Sequence, residues 1–536
     1  MRRASGYLMI ITGIAVGGCK VGPDYIRPDV AMPADWSGLE PDTAASRPAG
    51  PTTRPTNEPG DMATWWKQLK DPTLDTLIQH AVESNLDLRI ATARVREARA
   101  QRNSAAAGLW PQVGLSGSYN YSGASLNTGA KSSNDSSLLK DARNSALHSA
   151  VQSLASGQGI DPAQIVSSTA NQILTNVINN KGTNNEQSSH RGRNMFQAGF
   201  DASWELDVFG GLRRGVEAAD ADITASVEDR NAVIVTLVSE VALEYVQLRG
   251  YQRRLTIALQ NIDTQQRTVE LTQERVAAEF ASKLEEVQAR TQLATTTSQV
   301  PLMQDAVRQT IYRLSILLGL PPGALMPELE PAAAIPTSPP DVPIGLPSDL
   351  LRRRPDVRSA ERQLAAATAR IGEAVADLFP RFSLTGSFGA QSRDIRLLLE
   401  RNSLVWSVGP AISWPIFQGG SILANIEIQN ARQEQALAAY EQTVLNALGE
   451  VEAALSAYTN EQVRRQALEE AVWTSREATE LSTQLYSNGM AAFLNVLEAQ
   501  RTLFASEEAL VQSETAIITD VIALYKALGG GWETEE

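Results

Sequence analysis

The chain has 536 residues, 43% apolar and 20% charged, an ordinary folded composition with room for several domains. Its formal charge is −14, or −16 once Arg2 and Arg3 leave with a leader, so it lacks the basic balance a phosphate backbone requires and no nucleic-acid partner is expected. The single cysteine, Cys19, rules out an intramolecular disulfide and any cysteine-built metal cage.

Residues 1–18, MRRASGYLMIITGIAVGG, combine a positive start, a short apolar run and small residues at the end. This reads as an export signal, too short to cross a bilayer as a stable helix. Cys19 follows directly, and VGG-Cys resembles the cleavage box of bacterial lipoproteins, which makes Cys19 the expected lipidation site, palmitate included. Lys20 rather than Asp in the next position favours, by the same resemblance, the outer membrane. No later run of about 18 apolar residues occurs, so no other helix is expected to span a membrane. Residues 19–60 then form an anchored linker, Pro-rich over 41–60, and the folded region starts near MATWWKQLKDPTLDTLI.

From there the chain repeats itself. LWPQVGLSGSYNY (109–121) corresponds to LFPRFSLTGSFGA (378–390), and WELDVFGGL (204–212) to WPIFQGGSI (414–422). LEEVQARTQL (284–293) matches LNVLEAQRTL (494–503) at an offset of 210, which Leu318-Gly319 and Leu528-Gly529 share. Two structural repeats follow, 61–320 and 348–530, joined by a linker over 321–347 whose nine prolines predict an extended tether. Each repeat reads helix, strand, strand, long helices. The first helices are predicted over 73–108 and 348–377, and the long tracts over 213–318 and 421–528. Val444, Leu448, Val451, Leu455 and Tyr458 follow a coiled-coil rhythm, as Ile234, Leu237, Val241, Tyr245 and Leu248 nearly do. Folded once near its middle, each tract would give two arms of about 50 residues, roughly 75 Å long.

Four segments alternate with a period of two: about 111–122, 195–206, 381–391 and 404–416. In MFQAGFDASWEL, Phe196, Phe200 and Trp204 take one side and Asp201 and Glu205 the other. Alone, the pattern fits a half-buried soluble sheet equally well. Beside an outer-membrane anchor it fits barrel strands, with Phe196, Phe200, Trp204, Trp406 and Trp414 toward lipid and Asp201 and Glu205 toward the lumen. Four strands cannot close a barrel, so it must be shared among chains. Residues 123–193, rich in Ser, Asn, Gln and Gly, would be an extracellular insertion, with Ile165, Ile173 and Val177 at the spacing of a short amphipathic helix.

CKVGPDYIRP (19–28), the long stretch GLPSDLLRRRPDVRSAERQLAAATARIGEAVADLFPRFSLTG (345–386) and YSNGMAAFLNVLEAQRTLF (486–504) resemble the TolC-like outer-membrane efflux proteins, in their NodT-type lipoprotein branch. The resemblance implies a mixed α and β membrane fold: a homotrimer sharing a twelve-stranded barrel and a twelve-helix periplasmic tunnel. It implies the exit duct of a tripartite pump, with a periplasmic membrane-fusion adaptor and an inner-membrane resistance-nodulation-division pump as partners, and no cofactor. The tunnel's aperture would lie where the long helices reverse. Tyr486 and Gly489 match the family's turn, and the two acidic ring positions of relatives align with Asn495 and Glu498, a departure at the first. Any acidic ring then rests on Glu498, with Glu285 and Glu286 of the first repeat as auxiliaries. Where that repeat should carry the turn glycine it has Glu279, which leaves the shape of its turn open.

Three rivals compete with an efflux channel. An enzyme is disfavoured: His80, His148 and His190 are scattered, and Ser137 to Lys140 matches Ser-x-x-Lys without companion motifs. A lipid-anchored coiled-coil stalk would share the heptads but has no use for a polar lumen. A channel for type I protein secretion would share the fold, and the lipoprotein box and NodT-like motifs favour small-molecule efflux over it.

Overall fold

The computed structural model describes residues 19–29, 32–33, 36, 54–56, 62–123, 192–336, 341–343 and 347–532. The expected export signal and nearly all of the expected insertion, including the helix expected through Ile165, Ile173 and Val177, lie outside the described residues. The chain divides into a helical unit, within 1–109, 207–381 and 413–536, and a sheet unit, within 110–206 and 382–412.

In chain order the elements are β1 (Arg54–Thr56), α1 (Pro72–Ser84), α2 (Leu86–Ala107), β2 (Gln112–Ser122), β3 (Arg193–Leu206), α3 (Gly211–Ala277) and α4 (Lys283–Leu317). β4 (Asp341–Pro343), α5 (Pro355–Ala376), β5 (Arg381–Ser392), β6 (Leu404–Ser413), α6 (Ser421–Ser487) and α7 (Phe493–Ala527) follow. The duplication governs every long boundary. α3 and α6 both have 67 residues, α4 and α7 both have 35, and each pair is offset by 210.

The arms are unequal, contrary to the expectation of a mid-tract reversal. At 1.5 Å per residue α3 and α6 are about 100 Å long and α4 and α7 about 52 Å. The reason is tertiary: α3 has different partners along its length. Its first turns are tied to α2 by Arg102–Asp220 and to α5 by Arg370–Asp222 and Arg358–Glu228, while α4 joins it further on, where Arg313 meets Glu244. α2, α4 and α5 are therefore short helices laid along one long one.

The predicted first helices are each broken. In the first repeat Asn85 sits extended at φ −60°, ψ 136°, and its side-chain oxygen caps α2 at the Leu88 amide, 2.9 Å away. Its amide nitrogen donates to the Leu317 carbonyl at the end of α4, 2.8 Å. In the second repeat the chain breaks at Arg354-Pro355, and Arg354 donates to the Ala527 carbonyl, 2.8 Å. Leu317 and Ala527 are equivalent, so two different side chains satisfy the same orphan helix-end acceptor.

The linker is not wholly extended. Met326–Leu329 form one helical turn with Pro327 in its first positions, where a missing N–H costs nothing. Gln252 of α3 donates to the Leu329 carbonyl (2.6 Å) and Arg249 to that of Pro331 (3.0 Å), so this part of the tether is bolted down.

The main core of the helical unit gathers Leu237, Val241, Tyr245 and Leu248 of α3, Ile311 and Leu314 of α4, and Tyr440, Val444 and Val451 of α6. Trp65, fully buried, stacks on Tyr525 of α7 at 5.0 Å, and the Tyr525 hydroxyl donates to Gln68 at 2.8 Å. Each fully buried large aliphatic contributes about 1.5–3 kcal/mol. The two long helices differ sharply within this frame: α3 buries 22 residues and α6 only nine, seven of them between Tyr440 and Tyr458.

The sheet has strand order β2-β3-β5-β6, antiparallel from β2 to β5, leaving β2 and β6 as edges. Its register stacks Leu115, Phe200 and Phe388 in one row and Gly117, Ala198 and Ala390 in another, all on the apolar side. Gly114, Asp201 and Ser387 form a row on the other side. On that side Gly199 faces Gly389 so closely that a Cβ on Gly199 would lie 2.8 Å from the Gly389 Cα. Glycine at both positions lets the strands approach. The last strand stops at Ser413 rather than at 416, because Pro415 offers no ladder donor.

Candidate functional site

Three places carry the features of a conduit: the polar face of the sheet, the turns of the long helices, and the N-terminal segment. On the sheet, Asp201 accepts from the Ser116 hydroxyl at 2.9 Å, and Ser387 and Ser407 hydroxyls meet at 2.9 Å. With Gln112, Ser203 and Thr385, the side chains of Asp201, Ser387 and Ser407 line an open polar groove. Glu205 shares this face, opposite Ser383. The other face carries Phe196, whose ring stacks on Tyr119 at 4.8 Å, together with Phe200, Trp204 and, on β6, Trp406, 74% exposed. Trp414 was expected among them but lies beyond β6, in the helical unit, where its indole N–H donates to the Leu378 carbonyl at 3.0 Å.

Both helix reversals close by the same hydrogen bonds. After α6, Gly489 takes φ +73° and the amides of Gly489 and Met490 reach back to Tyr486 (3.0 Å) and Leu485 (2.8 Å). After α3, Glu279 takes φ +61°, with Glu279 to Val276 at 3.1 Å and Phe280 to Arg275 at 2.8 Å. This paired pattern at a left-handed residue is a Schellman motif. The missing glycine therefore leaves the shape of the first turn unchanged and puts a side chain where the backbone prefers none.

Chemically the turns differ. Tyr486 is buried against Phe493, 5.4 Å between ring centres, and its hydroxyl donates to Glu285 of the first hairpin at 2.7 Å. Burial first, and then the Glu285 carboxylate, push the hydroxyl well above its ordinary range, so it stays a donor. Arg275 lies over the Tyr486 ring at 4.7 Å and donates to the Ser487 carbonyl at 2.9 Å. Further along, Arg501 donates to Gln292 (2.7 Å) and Gln500 to Thr268 (2.9 Å). The two hairpins are thus latched near their turns by one aromatic group and several polar bonds.

The other acids named from sequence are placed as follows. Glu286 is nearly buried and paired with Lys283 and Arg290, and the Lys283 ammonium holds its carboxyl below the usual range. Glu498 is 61% exposed, with Arg501 at 3.5 Å on its own helix. Asn495 is exposed in the first turn of α7. The sequence-predicted residues that contact one another here are Tyr486 and Glu285; Glu286 and Glu498 each carry their own countercharge.

At the N-terminal segment, Cys19 is exposed and its carbonyl accepts from Arg213 at 3.4 Å. Val21 N–H donates to Phe209 at 3.2 Å. Arg214, 1% exposed, donates to the carbonyls of Val21 (3.0 Å) and Gly22 (3.2 Å) and pairs with Asp24 (2.8 Å) and Glu217 (3.0 Å). Gly22 takes φ +89° with its Cα against Gly372, where a Cβ would stand 2.3 Å from the neighbouring Cα. Further on, Arg27 pairs with Glu361 at 3.1 Å.

Residues 77–151, 172–320 and 346–530 match the family described as outer membrane efflux protein. The chain belongs to that family. It is 28% identical over 530 residues to nodulation protein T of Rhizobium leguminosarum bv. trifolii, covering 99% of this chain and 98% of that one. It is 30% identical over 527 residues to the pyoverdine export outer membrane protein OpmQ of Pseudomonas aeruginosa, covering 98% and 97%. Among solved structures, the outer-membrane channel OprN superposes with a TM-score of 0.77 at 34% identity, covering 96% of this chain and 100% of that one. This efflux protein is accordingly an outer-membrane channel of the TolC-like, mixed α and β fold, with its helical tunnel in the periplasm.

Sequence reasoning missed three groups in this efflux protein. Arg214 sits in FGGLRR, where nothing distinguishes a buried arginine from a solvated one. Arg275 and the Gln292–Arg501 pair join residues about 210 positions apart, and only the two hairpins' packing brings them together. The duplication could have hinted at the last, because equivalent positions in two hairpins are natural neighbours.

Proposed function

We propose that three copies of this chain assemble into one conduit, the exit duct of a tripartite efflux pump, with a periplasmic membrane-fusion adaptor and an inner-membrane resistance-nodulation-division pump as partners. The observation that carries the trimer is the unfinished state of the single chain. Its four-stranded sheet ends in two open edges, and open edges are not tolerated in lipid. α6 also leaves Leu423, Leu445, Val463, Trp473 and Leu481 exposed, an apolar surface a second copy would cover. Cys19 carries the lipid in this reading, and the Arg214 contacts fix where that anchor leaves the helical unit.

The conduit is passive, a channel rather than an enzyme, and its cargo is small molecules; the pyoverdine-export name of the OpmQ relative supports that class. Residues 1–18 are the leader, 61–320 and 348–530 the two working repeats, and 123–193 an extracellular loop. Asp201 and Glu205 line the lumen, while Phe196, Phe200, Trp204 and Trp406 face lipid. The Tyr486–Glu285 bond with Arg275 acts as the latch of the periplasmic aperture. Glu498 supplies its acidic group, tempered by Arg501.

The test is single-channel conductance of the purified full-length protein in a planar bilayer, with a trivalent cation added on the side of the helical turns. Cation-preferring conductance blocked from that side, and less so in Glu498→Ala, is expected. Silence after verified insertion, persisting when the latch is removed, would overturn the conduit.

A further inference from the structure

The connection between β5 and β6 is short and built from its own bonds. Asp394 caps the Arg396 amide at 2.9 Å, the Ser403 hydroxyl donates to the Leu397 carbonyl at 2.7 Å, and Glu400 and Ser403 amides close further turns at 3.0 Å each. Its surface combines two chemistries that rarely stay exposed together. Ile395 (62% exposed), Leu397 (45%) and Leu399 (92%) stand out of the loop. Between and beside them Arg393, Arg396 and Arg401 are exposed, and among the described residues none of these guanidinium groups forms an ion pair. Asp394 and Glu400 lie in the same loop without pairing to them, leaving an excess of one positive charge.

Position supplies the partner. The sheet unit is entered and left at the other ends of these strands, Arg381 and Ser413, where the chain continues into the helices. With the helices in the periplasm, the loop stands at the outer leaflet. The apolar side of β6 (Trp406, Val408) runs up to the loop through Leu404, so exposed apolar residues of the strand and of the loop adjoin along the chain. A soluble anion would need the arginines but not the aliphatics. An apolar protein partner would need the aliphatics but not three unpaired cations.

We infer that this loop is a docking surface for an anionic glycolipid of the outer leaflet, the arginines taking its headgroup phosphates and Ile395, Leu397 and Leu399 lying along its acyl chains. Guanidinium matches phosphate oxygens bidentately, and long cationic side chains at a membrane edge keep their heads in the polar layer. The inference rests on the outer-membrane placement, but not on the latch or on the cargo.

The experiment places the full-length protein in phosphatidylethanolamine nanodiscs containing bisphosphorylated lipid A and counts retained lipid by native mass spectrometry after detergent release. The wild type is expected to keep lipid A and to lose it when the lipid is dephosphorylated, with excess inorganic phosphate unable to displace it. Combining Arg393→Gln, Arg396→Gln and Arg401→Gln should weaken retention on the order of 100-fold, at about 1 kcal/mol per basic side chain. The same three changed to Lys should fall between, and Leu399→Ser should weaken it several-fold. SDS-resistant oligomer and unchanged conductance identify folded variants and keep this test separate from that of the channel. Equal retention by the Gln triple, or displacement by inorganic phosphate, would overturn the inference. So would a deletion of 124–191 that abolishes retention while the loop is intact, because it would assign the lipid to the insertion.

Discussion

The two helical hairpins, α3–α4 and α6–α7, have the same lengths and the same turn geometry but opposite relations to the rest of the chain. α3 is clothed on successive stretches by α2, α5, α4 and α7, whereas α6 is buried mainly around Tyr440 to Tyr458 and otherwise shows solvent a row of large apolar side chains. Their turns invert the contrast. The second is packed through Tyr486, Phe493, Val496 and Leu497, while at the equivalent positions the first has Val276, Lys283 and Glu286, and Lys283 and Glu286 form an ion pair. Duplication preserved the backbone plan and released the side chains, so one hairpin became the internal scaffold and the other an external face with an aromatic latch.

This contrast can be broken by experiment. Leu248→Ala in α3, fully buried, should cost about 2–5 kcal/mol of chain stability in denaturant unfolding. Leu445→Ala, 61% exposed on α6, should leave chain unfolding within about 0.5 kcal/mol while raising the monomer fraction in analytical ultracentrifugation. If both lower chain stability equally, α6 is no open face.

Tyr486→Phe removes a hydroxyl bound to a carboxylate, a loss of about 1.5–3 kcal/mol. In the proposed trimer the expected readout is more frequent opening in single-channel records, with the oligomer size unchanged. Val276→Tyr, the mirror change in the first turn, has no carboxylate arranged for it and should not tighten the latch.

The turns also differ in strain. Glu279→Gly should stabilise the protein by up to about 1 kcal/mol and Gly489→Ala should destabilise it by about as much, read as opposite shifts in Tm. A pH-dependent effect concerns Asp520 of α7, whose carboxyl is pushed up to about 6 by burial and by the nearby Glu461. Its folded-state pKa exceeds its unfolded value, so the native state holds the proton more tightly and stability falls as pH rises from about 4 through 6. Asp520→Asn should flatten that slope of Tm against pH, leaving Tm near pH 4 unchanged.

Much of this protein was legible before folding. Strand parity in MFQAGFDASWEL reappears as the two faces of β3, and the 210-residue offset reappears at every long-helix boundary. Less legible were the breaks and ends. Asn85 and Pro355 interrupt helices that looked continuous, because a cap at an internal position resembles an ordinary polar residue until its partner helix end is known. Trp414 continues the alternation in the sequence yet falls beyond β6, because Pro415 cannot donate to a ladder. Glu279, in place of glycine, leaves the shape of its turn open in the sequence, and two backbone hydrogen bonds close that turn in its usual shape despite the left-handed cost.

By itself the sequence determined the element types, the duplication, the sidedness of the strands and the family, since periodicity and repeated motifs are local patterns that survive in a linear text. Only the tertiary structure decided where α3 changes partners, that Arg214 is a buried clamp and not a solvated charge, and that Tyr486 reaches Glu285. Those facts depend on which side chains meet across separations from 69 to 201 residues, and that is settled by packing long rods side by side, a global condition no short window contains.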